Sequence, residues 1–174
     1  MYPQEYIEYL IHFHGDRDYF ECHEILEDYW KKVDFGNKDS LWVGLILLAV
    51  STYHHRRKNL IGAKRTLEKA IMIFKNHSAL LPKIGLNEAV FLPLLTERLE
   101  MIEHKQTYTS FSFPFNDSSL VEICSQTCRE RGLVWGKESD LANEQLVHRH
   151  KLRDRTDVIE ERKKMLIMKK GSKK

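Results

Sequence analysis

In DRDYFECHEILEDYWKKV, residues 16–33, apolar side chains recur at three- and four-residue intervals, the spacing of an amphipathic helix rather than a strand. Asp16 or Asp18 supplies an N-cap, and Glu21 stands three residues after Asp18 in a capping-box arrangement. At about 100° per residue, Cys22, Ile25, Leu26, Tyr29 and Val33 fall on one face, expected to meet a core. Phe20, His23, Glu24, Glu27 and Trp30 form an adjoining stripe, with Glu21 apart from it. Two large aromatics beside an imidazole and two carboxylates imply that the stripe faces a helix, a cavity or a partner.

Working outward, PQEYIEYLIHFHG reads as a short first helix with Ile7, Leu10, Ile11 and His14 on one side, stopped by Gly15. Downstream, Asp39 or Ser40 caps a third helix from Leu41 to about Arg57, apolar nearly all round and therefore central. Asn59 caps a fourth, in which Leu60, Ala63, Leu67, Ala70, Ile71 and Phe74 recur at helical spacing and Gly62 and Ala63 permit a close neighbour. A fifth follows LLPKIGLN, with Pro93 in its first turn or kinking it. These elements predict an all-α antiparallel multi-helix bundle over residues 1–105. QTYTSFSFPFND, residues 106–117, breaks the periodicity and reads as an extended aromatic strap, packed across the bundle or presented as a docking edge. Residues 118–174 read as a helical C-terminal extension: a helix capped by Asp117 or Ser119 and ended by Gly132, then a long charged helix from about Lys137.

Composition excludes several classes. With 8 Gly and 4 Pro in 174 residues, the chain lacks the turn residues a β-sandwich requires. The net charge of +3 is unevenly placed. Residues 151–174 hold ten Lys or Arg against four Asp or Glu, whereas residues 1–150 hold 18 basic and 21 acidic side chains. Three cysteines without a CxxC pair fit a reducing cytoplasm, and Cys124 and Cys128 read as buried thiols, with a shared metal as the sharper alternative. MYPQEYIEYL has no signal-peptide pattern, and LWVGLILLAVSTY is too short to cross a bilayer. A cytoplasmic location is expected.

The third helix ends in YHHRRKN, where Tyr53, His54, His55, Arg56 and Arg57 complement the His/Glu stripe across an antiparallel pair. Glu24 and Glu27 are expected to pair with Arg56 or Arg57, and His23 to sit near His54 or His55. Three readings follow: a buried polar network that fixes helix register, a divalent-metal site built from His23, Glu24, Glu27 and His54, and acid/base catalysis by a glutamate beside His23. The HEILE motif is HExxE rather than HExxH, so a ligand position of the zincins is missing. Nor are there two Glu-x-x-His copies, as di-iron bundles use.

These residues resemble a bacterial, archaeal and plastid family catalogued as domain of unknown function 309, most closely its members from Bacillus-like bacteria. The pattern is carried by Phe20, Glu21, His23, Glu24, Glu27 and Trp30, then Gly44, Leu45 and Ile46, then Tyr53, His54, Arg57, Asn59, Gly62 and Ala63. It covers about residues 8–75 and departs at Lys58, where the family favours glycine. The resemblance implies a small all-α bundle, carries no catalytic assignment and leaves the extension untouched.

No phosphate loop, nucleophile motif or complete metal quartet is present. The sequence therefore reads as a non-catalytic interaction or scaffold module without a cofactor, whose partner is another protein or a second copy of the chain. The alternative is a metal-dependent, hydrolase-like enzyme holding a divalent ion at the His/Glu cluster. The basic segment 151–174 adds nucleic acid or an anionic surface as a partner class.

Overall fold

The computed structural model describes residues 1–149 and 156–171, and the chain is all-α. Its helices are α1 (Gln4–Ile11), α2 (Tyr19–Val33), α3 (Leu41–Arg56), α4 (Leu60–Asn76), α5 (Glu88–Glu103), α6 (Ser118–Glu130), the single turn α7 (Glu144–Val147) and α8 (Thr156–Gly171). Among the described residues no strand forms, and Leu86 and Phe115 make an isolated antiparallel bridge. No described helix is long and apolar enough to cross a membrane.

Capping explains most boundaries. The side chains of Asp18, Ser40, Asn59 and Asp117 accept backbone N–H donors from the first turns of α2, α3, α4 and α6. Gly15 does not stop the first helix. The chain continues through a π-helical turn, His12–Asp16, and ends on Arg17 in the left-handed region at φ 57°. Gly15 serves packing instead: a Cβ there would lie 3.2 Å from Cys128 Sγ and 3.4 Å from Leu133 Cδ1.

The core is a helical stack centred on α3, whose Leu45, Leu48 and Ala49 are buried against α2 and α4. α3 and α4 come close at two levels. Gly44 lies beneath the Phe74 ring, where a Cβ would be 2.9 Å away, and Ser51 Oγ donates to the Ala63 carbonyl at 2.8 Å. Pro93 sits inside α5 rather than in its first turn, but it and Ala89, whose carbonyl it leaves without a helical donor, are exposed to water. The last turn of α2 stands clear of the core, so Val33 is 53% exposed instead of inward.

Residues 106–114 have no regular structure, and their aromatics turn inward. Tyr108 and Phe113 are buried, and the Phe113 ring lies 4.5 Å from Phe13 and 5.5 Å from Phe91. His14 pins the segment: its Nδ1–H donates to the Leu10 carbonyl and its Nε2 accepts from the Phe113 amide at 3.0 Å. Three buried arginines hold this segment and the chain after it. Arg17 donates to the carbonyls of Phe111 and Lys137, Arg98 to Thr109, and Arg56 to the carbonyls of Arg17 and Leu146 and to Ser139 Oγ.

The helix expected from Lys137 does not start there, although Thr156–Gly171 is helical. Residues 137–143 are irregular because their backbone is used elsewhere: the Ser139 amide donates to Ser110 Oγ, and the Asn143 side chain caps α7 anew. Helix α8 carries exposed Met165, Leu166, Ile167 and Met168, while much of the basic segment 151–174, including Lys151, Leu152 and Arg153, lies outside the described residues.

Candidate functional site

Helix α2 places His23, Glu24 and Glu27 on one half-exposed surface. His23 Nε2 lies 2.9 Å from Glu27 Oε2, and its Nδ1 lies 3.4 Å from Glu24 Oε1. Both ring nitrogens therefore face carboxylates, Nε2 towards Glu27 and Nδ1 towards Glu24. Lys31, one turn on, reaches the other Glu27 oxygen at 3.0 Å. Hydrogen bonding from His23, supplemented by Lys31, holds the Glu27 carboxyl at about 2, against the usual 4.5. One donor atom from each of the three residues lies within 4.8 Å of the others, a spacing that could hold a metal ion.

The third helix meets this cluster only in part. His54 and His23 rim a shallow recess of about 170 Å³ with Tyr19, Phe20, Val50 and Tyr53, and neither Glu24 nor Glu27 lines it. Arg56 is not the glutamates' partner. Two residues beyond His54, it lies about 200° further round α3, beneath the Tyr19 ring at 4.5 Å and bonded to carbonyls. Arg57 follows the last helical residue and lies over Tyr53 at 5.3 Å. His55 also points away, its Nε2–H donating to the Gln106 carbonyl, and burial lowers its basicity.

Two further residues of the sequence motif have other duties. Trp30 donates from Nε1 to the Asn37 carbonyl and fastens the α2–α3 loop beside Phe35. Glu21 and Asp18 both meet Arg149. Cys124 and Cys128 are buried, free thiols, and burial pushes Cys124 up to about 12, so it is held protonated.

A second group, His12, Asp16 and Asp18, also has donor atoms within 4.8 Å of one another. Burial works against the charge on His12, but the Asp16 carboxylate 3.1 Å from its Nδ1 more than offsets it and raises the pKa. The i, i+4 spacing of His12 and Asp16 was legible in HFHGD; the π-helical turn that adds Asp18 was not.

Comparison with known proteins places these features in a wider group. A profile of the family described as domain of unknown function (DUF309) matches residues 6–66. The chain is 45% identical over 172 residues, 99% of each sequence, to the uncharacterized protein YpuF of Bacillus subtilis (strain 168). The likeness thus reaches through the strap and the C-terminal extension, well beyond the motif-bearing helices. No solved structure matches.

Proposed function

The chain belongs to the family described as domain of unknown function 309 (DUF309), and from that footing we propose a non-catalytic interaction module of the cytoplasm. The observation that supports this reading is the state of the His23–Glu24–Glu27 cluster. The Glu27 carboxylate is neutralised from within α2, by His23 and Lys31, instead of standing over a cavity. A general base works best with a pKa near the operating pH, and a carboxylate held at about 2 is far from it. The cluster and its aromatic recess offer a charged, half-exposed surface suited to another protein or to a second copy of this chain. The basic segment 151–174 extends the partner class to nucleic acid or an anionic surface.

A second reading, a metal-dependent hydrolase-like enzyme using His23, Glu24, Glu27 and His54, is favoured by the close approach of the first three donor atoms. Elemental analysis of protein purified without an affinity tag separates the two. Protein free of bound transition metal, and calorimetric titration with zinc or manganese showing no saturable binding, supports the interaction module. Stoichiometric metal that is lost in Glu27→Ala overturns it. For the tail, removal of residues 151–174 is expected to abolish binding to duplex DNA or anionic vesicles, and undiminished binding removes the tail from the proposal.

A further inference from the structure

On the side of α3 away from the His23 cluster, a cleft of about 560 Å³ opens between the α3–α4 turn, the end of α5 and α7. That is within the size range of small-molecule sites, roughly 300–1,000 Å³. The charge on its described lining is of one sign: Arg56, Arg57, Lys58 and Lys105 surround it with the imidazoles of His55 and His148, and among the described residues no Asp or Glu lines it. Leu60, Tyr108 and Val147 add an apolar and aromatic wall.

Three observations make this more than a solvated basic face. Among the described residues, no ion pair engages Arg56, Arg57, Lys58 or Lys105. Among the described residues, the buried side-chain nitrogens without a hydrogen-bond partner are Arg56 Nε and His148 Nδ1, both in cleft residues, and Arg56 is only 5% exposed. Such orphaned donors and acceptors are rare in folded proteins and call for a partner. Finally, Lys58 and Lys105 both adopt left-handed backbone, at φ 66° and 56°. Glycine is the default there, and a residue with a Cβ costs about 1 kcal/mol more. Two turns on the edge of one cleft thus keep a lysine where the backbone favours none, a pattern of strain held at functional sites.

We propose that this cleft binds a small organic phosphate of nucleotide size. Lys58, Lys105 and Arg57 hold the phosphates, and Tyr108, Leu60 and Val147 receive the organic part. Several cations around one concavity, with no ion pair among the described residues, suit an anion with more than one charge; a single carboxylate would leave most of them unneutralised. The site is separate from the His23 cluster and stands or falls independently of the function proposed for it.

The test is calorimetric titration of the full chain with ADP, and with inorganic pyrophosphate as a probe of the phosphate contacts alone. One-to-one binding of both is expected, tighter for ADP and weakening with salt. The decisive variant is Lys58→Gly/Lys105→Gly, which removes two charges and relieves the left-handed strain. It is expected to resist urea at least as well as the parent while binding both probes at least about tenfold more weakly, the loss of roughly one charge-assisted contact or more. A Lys69→Ala control, on the outer face of α4, is expected to bind like the parent. No saturable binding of ADP at millimolar concentration overturns the proposal, as does unchanged affinity in the double variant. A single-stranded oligonucleotide that binds more tightly than ADP, and loses that affinity in the Lys58→Gly/Lys105→Gly variant, overturns it in favour of a nucleic-acid surface at the cleft.

Discussion

Lowering the pH from 7 to 5 is expected to cost the folded chain about 2 kcal/mol through His14 alone. The imidazole is completely buried, and burial pulls it down to about 3 from the usual 6.5. Its neutral form is required on both sides, since Nδ1–H donates to the Leu10 carbonyl while Nε2 accepts from the Phe113 amide. The folded pKa lies below the unfolded one, so between them the unfolded chain binds a proton that the folded chain refuses. Stability is therefore intact above pH 6.5 and falls as the pH drops towards 3, with a slope approaching about 1.4 kcal/mol per pH unit. Integrating from pH 7 to 5 with these two values yields about 2 kcal/mol. Urea unfolding of the parent and of His14→Phe at each pH measures it. The variant is less stable at pH 7, because the Phe113 amide and Leu10 carbonyl lose their partner, but its pH dependence is shallower. His12, whose pKa is raised, and His55, whose pKa is lowered, titrate in both proteins and cancel in the difference. Parallel curves for parent and variant would refute the reasoning, because His14 would then be free to protonate in place.

Arg17→Met should leave the part-buried carbonyls of Phe111 and Lys137 without their donor, at about 1–3 kcal/mol each, partly offset by removing a buried charge. A net loss of about 2–4 kcal/mol in urea is expected, with faster proteolysis around residues 137–147. Gly44→Ala gains helix propensity of about 1 kcal/mol but drives a Cβ against Phe74, so a net destabilisation of up to about 2 kcal/mol is expected in thermal melts. Because the Glu27 carboxyl is held at about 2, it contributes stability that is present above pH 4.5 and lost as the pH falls towards 2. Glu27→Gln should therefore flatten the acid limb of the stability curve, and an unaltered limb would show that His23 and Lys31 do not hold it.

The caps and the core were readable in the sequence because both rest on local rules. Asp18, Ser40, Asn59 and Asp117 sit one residue ahead of apolar periodicity, and each forms its cap. The α3 run announced itself as central by being apolar all round. The polar partnerships were less legible, because they depend on where a helix face points after packing. Arg56 follows His54 by two residues, enough to send it to the opposite side of α3, where it meets Tyr19 instead of Glu24 or Glu27. The tie between His14 and residue 113 spans 99 positions and leaves no local trace. Lys58 is the reverse case. A departure from the family's glycine marked the turn, and the turn does take the left-handed backbone that glycine would suit.

The three buried arginines also set how the C-terminal half can change over time. Their donors end mainly on main-chain carbonyls, at Arg17, Phe111, Thr109, Lys137 and Leu146. Every amino acid carries that acceptor, so most of these positions can be rewritten without breaking the hold. What the grip does read is spacing: inserting or deleting one residue between Thr109 and Phe111 would carry one carbonyl away from Arg98 or the other away from Arg17. Positions such as Lys137 and Leu146, gripped through their carbonyls, are thus expected to vary in side chain among relatives, while the segments that carry the gripped carbonyls resist changes in length.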